Sequence, residues 1–426
     1  MTRFWHPVAN MHAVERDGEF ILDHADGVEI WDEQGRRYLD ATASLWYCNV
    51  GYGRQEIVEA VAAQMRKLPA YSAYDDLATR PTTELAERVA SIAPMADARV
   101  FFTSGGAEAI ETAAKLARRY WSHVGQAERR VVISRERAYH GMAAYGTSLA
   151  GSEVFKAGLG TLVPDAAQVP WNSADALREA IEGIGPERVA AFVCEPVIGA
   201  GGALAPPPGY LQEARQVCRD FDVLFIADEV ICGYGRVGDW FASRRFGLEP
   251  DMVTFAKGIT SGYIPLGGLI VGPRIAEPFW NGEAGMFRHG YTYSGHATAT
   301  AAAHPNLDIM EREQLPARAL ELELELTQAL APLVNHPLVT EVRSGLGVIA
   351  GVQPDPELVA ADPTLPDRLR LACRANGVLT RTLVGGALQV SPALTVTRAQ
   401  LDEMVAGFAA ALDQVAATVP AGATSA

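Results

Sequence analysis

The stretch that decides the fold is Thr254-Phe255-Ala256-Lys257-Gly258-Ile259, in which an apolar run of strand character ends at a single lysine. A lone lysine in a loop is usually a solvated charge, but two upstream carboxylates change that interpretation. Glu195 and Asp228 also stand at the ends of apolar, strand-like runs. Ligands of open α/β sheets bind outside the carboxyl ends of the strands. The pattern therefore predicts that Glu195, Asp228 and Lys257 converge on one crevice.

Outward from this stretch, predicted strands and helices alternate from Gly53 to Arg288. That alternation favours a mostly parallel sheet covered by helices on both faces. We therefore expect an α/β fold with a large domain over residues 53–300. Shorter strands and helices nearer the C-terminus predict a smaller α+β domain over residues 301–426, and residues 1–52 are expected to supply an N-terminal arm and part of that small domain.

Three local features carry definite expectations. Residues 1–40 predict an arm poor in helix, followed by a hairpin with its turn at residues 32–35. The Ala-rich segment 297–313 predicts a helix that contains Pro305, and a proline inside a helix costs about 3 kcal/mol or produces a kink. The Ala/Gly-rich segment beyond Thr418 is expected to fray.

The composition is that of a globular protein and argues against several classes of partner. Of the 426 residues, 49% are hydrophobic and 20% are charged, and no apolar run reaches the length of about 18 residues that a membrane-spanning helix needs. The formal charge of −15 argues against a nucleic-acid-binding surface. The first residues form no apolar signal core, so we expect a cytoplasmic protein. The five cysteines form no C-x-x-C pair and are interpreted as buried, reduced thiols.

A candidate phosphate site follows the predicted strand 99–103. The chain continues through Ser104-Gly105-Gly106-Ala107-Glu108 into a predicted helix that extends to Trp121. At such a helix N-terminus, free backbone N–H groups and the positive end of the helix dipole can bind an anion. The same pattern is equally compatible with a plain tight turn.

Other side chains are ambiguous when each is considered by itself. Tyr139 precedes His140 and a glycine, and its ring could stack on a flat ligand or could simply pack. His140 alone is more often a structural histidine. Trp46 alone is more often a core or interface residue, and Arg381 alone is more often a surface charge.

Taken together, a strand-end lysine, a buried acid, an aromatic ring and a phosphate cradle are the parts that a pyridoxal 5'-phosphate (PLP) enzyme needs. Lys257 can bond covalently to the aldehyde of the cofactor and can then move a proton between a substrate carbon and a cofactor carbon. Asp228 would keep the pyridine nitrogen protonated, so that the ring can accept electrons. The residues therefore point to PLP chemistry.

The motifs Asp228-Glu229-Val230, Gly233-Tyr234-Gly235-Arg236 and Thr254-Phe255-Ala256-Lys257-Gly258 resemble the signature of the class III (fold type I) PLP-dependent aminotransferases. The resemblance extends over nearly the whole chain, from Gly27 to Glu403. It implies the α/β fold type I of PLP-transferases, with a large domain built on a mostly parallel sheet and a smaller α+β domain.

The resemblance also implies a role for each candidate site residue. Lys257 matches the Schiff-base lysine and Asp228 matches the partner of the pyridine nitrogen, so these are the implied catalytic residues. Val230 matches the residue packed on one face of the cofactor ring, and Tyr139 matches the one stacked on the other face. The positions implied to bind the cofactor are Gly105, Gly106, Ala107, Tyr139, His140, Glu195, Asp228, Val230, Lys257 and Thr292. No metal-binding position is implied.

Further implications of the resemblance concern the phosphate and the oligomer. Thr292 matches a residue that reaches the phosphate of the neighbouring subunit, which implies a homodimer with shared active sites. Glu195 matches the glutamate of the family's Glu-Pro block, near the phenolic oxygen of the cofactor. Ala107 is a departure, because many members carry a serine there, and the backbone amides must then hold the phosphate without that hydroxyl.

Two segments carry the part of the resemblance that concerns the substrate. The segment Ser44-Leu45-Trp46-Tyr47-Cys48-Asn49-Val50-Gly51-Tyr52-Gly53 resembles the block of ω-amino acid and amine:pyruvate transaminases, in which a tryptophan, here Trp46, lines the substrate pocket. Arg381 matches a mobile arginine of those enzymes, which could pair with a substrate carboxylate and swing aside for an uncharged amine. We therefore expect a ping-pong transaminase that takes a small-molecule amine donor and passes the nitrogen to pyruvate or a similar oxo acid.

Alternatives remain open at this point. A diaminononanoate-forming or 4-aminobutyrate-type transaminase of the same family would share every cofactor residue and differ only in the pocket. An aminomutase, which moves an amino group within one molecule, is a further possibility. A catalytically silent PLP-binding protein belongs to a different functional class.

Overall fold

The computed structural model describes residues 2–418, so the expectation of a frayed tail beyond Thr418 concerns residues outside the described part. In chain order the strands are β1 (Leu22–Asp26), β2 (Glu29–Asp32), β3 (Arg37–Asp40), β4 (Arg99–Thr103), β5 (Val131–Arg135), β6 (Ala166–Val169), β7 (Val189–Cys194), β8 (Leu224–Asp228), β9 (Met252–Phe255), β10 (Gly267–Val271), β11 (Val339–Arg343), β12 (Ala350–Pro354), β13 (Val378–Leu379) and β14 (Leu388–Val390).

The helices are of very different lengths, and residues 43–46 form only an irregular turn with non-helical backbone at Ser44 and Leu45. They are α1 (Met11–Asp17), α2 (Ala43–Trp46), α3 (Gln55–Lys67), α4 (Arg80–Ser91), α5 (Gly106–His123), α6 (Ala144–Leu149), α7 (Ala174–Ile184), α8 (Tyr210–Asp220), α9 (Ala242–Arg245), α10 (Pro273–Trp280), α11 (Ala297–Arg312), α12 (Leu315–Leu330), α13 (Pro356–Ala361), α14 (Leu365–Ala375) and α15 (Arg398–Ala416). No helix among residues 2–418 has both the length and the apolar composition needed to cross a membrane.

A seven-stranded sheet, in the order β4-β10-β9-β8-β7-β5-β6, carries the central part of the chain. Strand β10 pairs antiparallel with both of its neighbours, whereas the pairs from β9 to β6 are all parallel. The expectation of a mostly parallel sheet is therefore confirmed. The three strands that end at or just before Glu195, Asp228 and Lys257 are the adjacent strands β7, β8 and β9.

Strands β7, β8 and β9 form the centre of the sheet, and apart from Thr254 and the strand-end residue Asp228 their residues are apolar on both faces. All their residues are buried, and parallel sheets of this kind are covered by helices on both sides. On one face, Phe192 and Phe225 pack in the same core as residues of α8. On the other face, Leu224 and Ile226 pack in the same core as residues of α5. The sheet is thus covered by helices on both faces, as the alternation of strands and helices in the sequence predicted.

The two ends of the chain come together in a smaller sheet with the order β1-β2-β3-β13. The predicted hairpin is present as β2 and β3, with Ile30 opposite Tyr38. Strand β3 also pairs in parallel with β13, where Leu39 lies opposite Val378. Strands β11, β12 and β14 form a third, antiparallel sheet. These pairings support a small domain shared by both ends of the chain, although its boundaries at residues 52 and 300 stay a prediction.

Two local expectations agree with the structure. The arm expected to be poor in helix contains one short helix, α1, which has no buried residue; the side chain of Asn10 caps it by accepting from the amides of His12 and Ala13. The predicted helix that contains Pro305 is present as α11, from Ala297 to Arg312. The cost of about 3 kcal/mol or the kink expected at this proline stays a prediction.

Candidate active site

The carboxyl ends of β7, β8 and β9 open into one cavity of about 540 Å³. Glu195 directly follows β7, Asp228 is the last residue of β8, and Lys257 follows β9 after a single alanine. All three side chains line the cavity, as do Tyr139, His140, Val230 and the glycine turn 104–107. The predicted convergence of the strand-end residues is therefore confirmed, and the volume lies in the range typical of small-molecule sites.

The carboxylate of Asp228 is held by donors from three directions. Its Oδ2 atom accepts a hydrogen bond from His140 Nδ1 at 2.6 Å, and its Oδ1 atom accepts from Thr254 Oγ1 at 2.9 Å and from the Val230 amide at 3.1 Å. His140 and Asp228 are both buried. Since the carboxylate accepts, Nδ1 carries the hydrogen, and His140 Nε2 has no partner within residues 2–418. The position of Asp228 is thus fixed by its surroundings.

Glu195 is fixed in a similar way by backbone amides. Its Oε1 atom accepts from the Tyr139 amide at 3.0 Å and its Oε2 atom accepts from the Gly199 amide at 3.0 Å. Burial raises the pKa of Glu195, and the nearby charge of Asp228 also raises it, whereas the charge of His140 and the two amide hydrogen bonds lower it. Because Glu195 directly follows β7, its hydrogen bond with the Tyr139 amide holds the Tyr139 segment beside the carboxyl end of that strand. Both residues line the cavity.

Lys257 lies in an unusual environment for a lysine. Its backbone has a φ of +52°, a left-handed conformation that is sparsely populated by residues other than glycine and often found at functional sites. The pKa of Lys257 is lowered to about 8, because burial and the charge of Arg381 lower it more than the charges of Asp228 and Glu195 raise it. A neutral amine is therefore available near neutral pH, as a nucleophile or a base requires.

The lowered pKa of Lys257 has a measurable consequence for PLP, the cofactor that the sequence resemblance implies. The amine attacks an aldehyde only when it is neutral, so the capture rate should rise about tenfold per pH unit below the pKa and become level above it. Stopped-flow absorbance after mixing apoenzyme with PLP should show the change of slope near pH 8, the pKa of Lys257. A change of slope near 10.5, the ordinary value for lysine, would show that the side chain is not in the environment described.

The glycine turn before α5 has the geometry of an anion site. Gly105 precedes the helix and has no side chain to cap its first turn, while the Glu108 carboxylate accepts a hydrogen bond from the Ser104 amide at 2.8 Å. Residues 104–107 all line the cavity. At Gly106 a Cβ atom would lie 2.7 Å from a methyl group of Val230, so only glycine allows this close approach. The first amides of α5 can therefore bind a phosphate in the cavity, which a plain turn capped by a side chain could not do.

Tyr139 and Val230 both line the cavity beside Asp228. Burial raises the pKa of Tyr139, so its hydroxyl stays protonated over the working range of most enzymes. The Tyr139 ring also makes an edge contact with Phe155 at 5.3 Å between ring centroids. Their positions are compatible with the ring-packing roles predicted for them.

Trp46 and Arg381 do not line the cavity directly, although they adjoin it. The Trp46 ring is buried and donates from Nε1 to Ser391 Oγ at 3.2 Å. The ring centroid lies 5.4 Å from Lys257 Nζ and 4.9 Å from Arg381 Cζ. Burial lowers the pKa of Arg381. The tryptophan therefore lies beside both cations, and Arg381 lies close to the cavity without being part of its wall.

Some lining residues were not predicted from the sequence. Tyr47, rather than its neighbour Trp46, lines the cavity, and its hydroxyl accepts a hydrogen bond from Ser44 Oγ at 2.5 Å. Tyr47 belongs to the same segment, residues 44–53, that pointed to Trp46. Which of the two side chains faces the cavity depends on left-handed backbone at Ala43, Ser44 and Trp46, and sequence periodicity does not reveal such conformations. The other lining residues not predicted include Ile110, Met142, Ile231, Thr260, Ile264 and Leu266.

Thr292 lies away from the cavity of its own chain, in the exposed part of the loop before α11. This loop is attached to α5, the helix that begins at the glycine turn. Tyr291 donates from its hydroxyl to the Glu108 carbonyl oxygen at 3.2 Å, and His289 Nε2 lies 2.9 Å from Thr112 Oγ1. Thr292 is thus presented outward on a firmly attached loop. In the part of the chain that the structure describes, no cluster of His, Cys, Asp and Glu side chains is arranged to hold a metal ion.

Comparison with known proteins agrees with this geometry. The family model described as aminotransferase class III matches residues 11–412. A putrescine–pyruvate aminotransferase from Pseudomonas aeruginosa is 39% identical over 437 residues, which cover 97% of this chain and 94% of that protein.

Solved structures show the same relationship. A thermostable (S)-enantioselective omega-transaminase from Thermomicrobium roseum is 40% identical, with a TM-score of 0.91 and 96% of each chain covered. An omega transaminase from Pseudomonas jessenii, determined in complex with PMP, is 33% identical, with a TM-score of 0.93 and coverage of 98% of this chain and 97% of that one. With a family model that spans nearly its whole length and strand-end residues that meet in one cavity, the chain belongs to the class III aminotransferases, enzymes that use pyridoxal phosphate.

Proposed function

We propose that the protein is a ping-pong transaminase that takes the amino group of an amine or ω-amino acid and passes it to pyruvate or a similar oxo acid. The observation that carries the proposal is the placement of Lys257, with a pKa lowered to about 8, in one cavity with Asp228 and the open N-terminus of α5. The similarity to a putrescine–pyruvate aminotransferase supports the choice of amine donor and pyruvate acceptor.

The residues around the cavity fit PLP. The uncapped first turn of α5 suits the phosphate, and the Asp228 carboxylate suits a protonated ring nitrogen. Tyr139 and Val230 are the proposed ring-packing residues, and Glu195 is proposed to lie near the phenolic oxygen. The cofactor, when bound, provides an electron sink that stabilises the negative charge left when a proton is removed from the substrate carbon.

The chain's own groups would then carry out the proton transfers. Lys257 Nζ is proposed to take the proton from the substrate carbon and to return it at the cofactor carbon, because a neutral amine in a buried site is a competent base. Asp228 would hold the proton of the ring nitrogen throughout, since hydrogen bonds from His140, Thr254 and Val230 stabilise its charge. Apolar lining residues such as Ile110 and Leu266 would limit the access of water.

Arg381 is proposed to recognise the carboxylate of the oxo acid. It is half-buried, rests against the Trp46 ring at 4.9 Å and has a pKa lowered by burial, so an incoming carboxylate would find a poorly solvated cation. In the Arg381→Ala variant the KM for pyruvate should rise about 10- to 100-fold, while the half-reaction with an amine that lacks a carboxylate should change less than about threefold.

The control for this prediction is Arg178→Ala, which removes an arginine paired with Asp220 on the surface. That variant should behave like the unmodified protein with both substrates. If Arg381→Ala slows the amine and pyruvate half-reactions equally, Arg381 does not have the proposed carboxylate role.

We also propose a homodimer in which Thr292 of one subunit binds the phosphate of the cofactor in the other subunit. The exposed position of Thr292 on a loop held against α5 supports this arrangement. The Thr292→Val variant should bind PLP about tenfold more weakly, because it loses a charge-assisted hydrogen bond. Equilibrium titration of the apoenzyme with PLP measures this change.

The control for Thr292 is Thr83→Val, which alters an exposed threonine on α4 whose hydroxyl bonds to the Arg80 carbonyl oxygen. Sedimentation of the unmodified holoenzyme over a range of concentrations supplies the second measurement. A fully active monomer at low concentration, or unchanged PLP affinity in Thr292→Val, would remove the shared site from the proposal.

A cytoplasmic location is also proposed. The five cysteines, Cys48, Cys194, Cys218, Cys232 and Cys373, are all buried and unpaired, as expected for a reducing compartment. A redox-sensitive tag fused to the chain in its own cell would test the location, since an oxidised tag would contradict the proposal.

A panel of amine donors, each tested with pyruvate, decides between this function and its alternatives. The proposal predicts amino transfer from monoamines, diamines or ω-amino acids to pyruvate, with loss of the visible absorption band of the bound cofactor when an amine is added alone. Turnover restricted to one 4-aminobutyrate-type or diaminononanoate-forming reaction would favour those family members. Turnover without any oxo acid would favour an aminomutase, and an unchanged spectrum with every donor would favour a silent PLP-binding protein.

A further inference from the structure

The three donors to Asp228 are unevenly divided between its two oxygens. Thr254 Oγ1 and the Val230 amide both donate to Oδ1, at 2.9 Å and 3.1 Å, whereas Oδ2 accepts only from His140 Nδ1, at 2.6 Å. A carboxylate oxygen accepts about two hydrogen bonds. Within the protein Oδ1 is therefore saturated, and Oδ2 keeps one free acceptor position.

Thr254 is an unusual residue for its place in the fold. It lies in β9, where the side chains of Val253 and Phe255 pack in one core and that of Met252 packs in the other. Its own side chain is 0% exposed, and it pairs in register with Asp228 on the adjacent strand β8. Buried parallel strands favour Val and Ile, and burying a hydroxyl costs free energy unless it is hydrogen-bonded. The Thr254 hydroxyl donates its hydrogen bond to the carboxylate of Asp228, which lines the cavity.

We propose that Thr254 is a positioning residue for Asp228. Its hydroxyl fixes the rotation of the carboxylate so that Oδ1 is turned into the protein and Oδ2 is the oxygen offered to the ring nitrogen of the cofactor. This inference rests on the proposed function, because it assumes that Asp228 is the partner of that nitrogen. Strand β9 therefore serves the site in two ways. Its residue Thr254 orients the Asp228 carboxylate, and Lys257 follows Thr254 by three residues.

The alternative is that Thr254 serves only to fill the core and satisfy its own hydroxyl. The two roles differ in which of two conservative variants they expect to be the more damaging. Thr254→Val keeps the branched shape and loses the hydroxyl, whereas Thr254→Ser keeps the hydroxyl and loses a buried methyl group. A packing role makes serine the more damaging change to stability, and a positioning role makes valine the more damaging change to the cofactor site.

The test uses the full-length holoenzyme and measures PLP affinity, the visible spectrum of the bound cofactor and the melting temperature. Thr254→Val should raise the PLP dissociation constant about tenfold and shift the visible band, because it removes a hydrogen bond to a charged group. Thr254→Ser should stay within about twofold of the unmodified protein in PLP affinity, even if it melts at a lower temperature. This rescue by serine is a result that a packing role does not produce.

Thr300→Val is the matched control, since Thr300 is a buried threonine in α11 whose hydroxyl contacts the carbonyl oxygens of His296 and Ala297 and the hydroxyl of Thr82. It should leave the spectrum and PLP affinity unchanged. If Thr254→Val does not fold, Thr254→Cys replaces it, because a thiol of similar size is a weak donor and should weaken PLP binding in the same direction.

Normal PLP affinity and an unchanged spectrum in Thr254→Val, or in Thr254→Cys, would overturn the proposal. Asp228→Asn separates this failure from a failure of the proposed function. If Asp228→Asn damages PLP binding and turnover while the Thr254 variants do not, only the positioning role of Thr254 is wrong. If Asp228→Asn is also without effect, the proposed function itself is wrong.

Discussion

Replacing Lys257 with alanine is expected to lower turnover by at least about 10⁴-fold, because it removes both the nucleophile and the base. The Lys257 side chain lines the same cavity as Glu195 and Asp228, and its pKa is lowered to about 8, mainly by burial. The visible absorption band of lysine-bound cofactor should be lost as well, although PLP can still be held through its phosphate. Steady-state assays and absorbance spectra of the purified variant measure both effects.

The control for Lys257 is Lys67→Ala, which removes an exposed lysine from the last turn of α3. That variant should keep the band and the turnover. Lys257→Arg tests whether a positive charge alone suffices, since a guanidinium cannot serve as the nucleophile at neutral pH. A Lys257→Ala protein that retains both the visible band and turnover would contradict the assignment.

Replacing Asp228 with asparagine is expected to lower turnover by about 10²- to 10³-fold, since a preorganised charge at the reacting centre contributes about that much. Asparagine keeps the shape of the side chain but cannot hold the proton of the ring nitrogen as an ion pair. It also leaves His140 Nδ1 without its charged acceptor at 2.6 Å. The measured quantities are kcat at saturating PLP and the PLP dissociation constant.

Asp32→Asn is the matched control for this change. Asp32 is buried in the hairpin of β2 and β3, where it accepts hydrogen bonds from Arg36 and Tyr38. Losing its charge should lower the melting temperature and leave kcat per bound PLP unchanged. Equal losses of kcat in Asp32→Asn and Asp228→Asn would mean that the effect at Asp228 is one of general stability.

The parts of the fold that could be predicted from sequence are those set by local pattern. The apolar runs before Glu195, Asp228 and Lys257 form adjacent parallel strands, and parallel strands bring their carboxyl ends to one edge. The position of the cavity follows from this arrangement. The glycine turn 104–107 was also predictable from local pattern, because it lies between a strand and a helix and leaves the first amides of α5 open.

The remaining features depend on contacts between distant segments. The sheet that joins the ends of the chain pairs Leu39 with Val378, and no local pattern determines that partner. The contact of His140 with Asp228 depends on how a loop after β5 packs over β8. The inward direction of Tyr47 depends on left-handed backbone conformations that a residue-by-residue propensity does not reveal.

The central claim is that amino nitrogen passes from an amine to an oxo acid through a site built on Lys257. The most direct measurement incubates the holoenzyme with an amine that carries an isotopic nitrogen label, together with unlabelled pyruvate, and determines the label in alanine by mass spectrometry. We expect labelled alanine to form in equal amount with the carbonyl product of the donor, and no alanine to form with Lys257→Ala. Release of the label as ammonia, or its retention in an isomer of the donor, would contradict the claim.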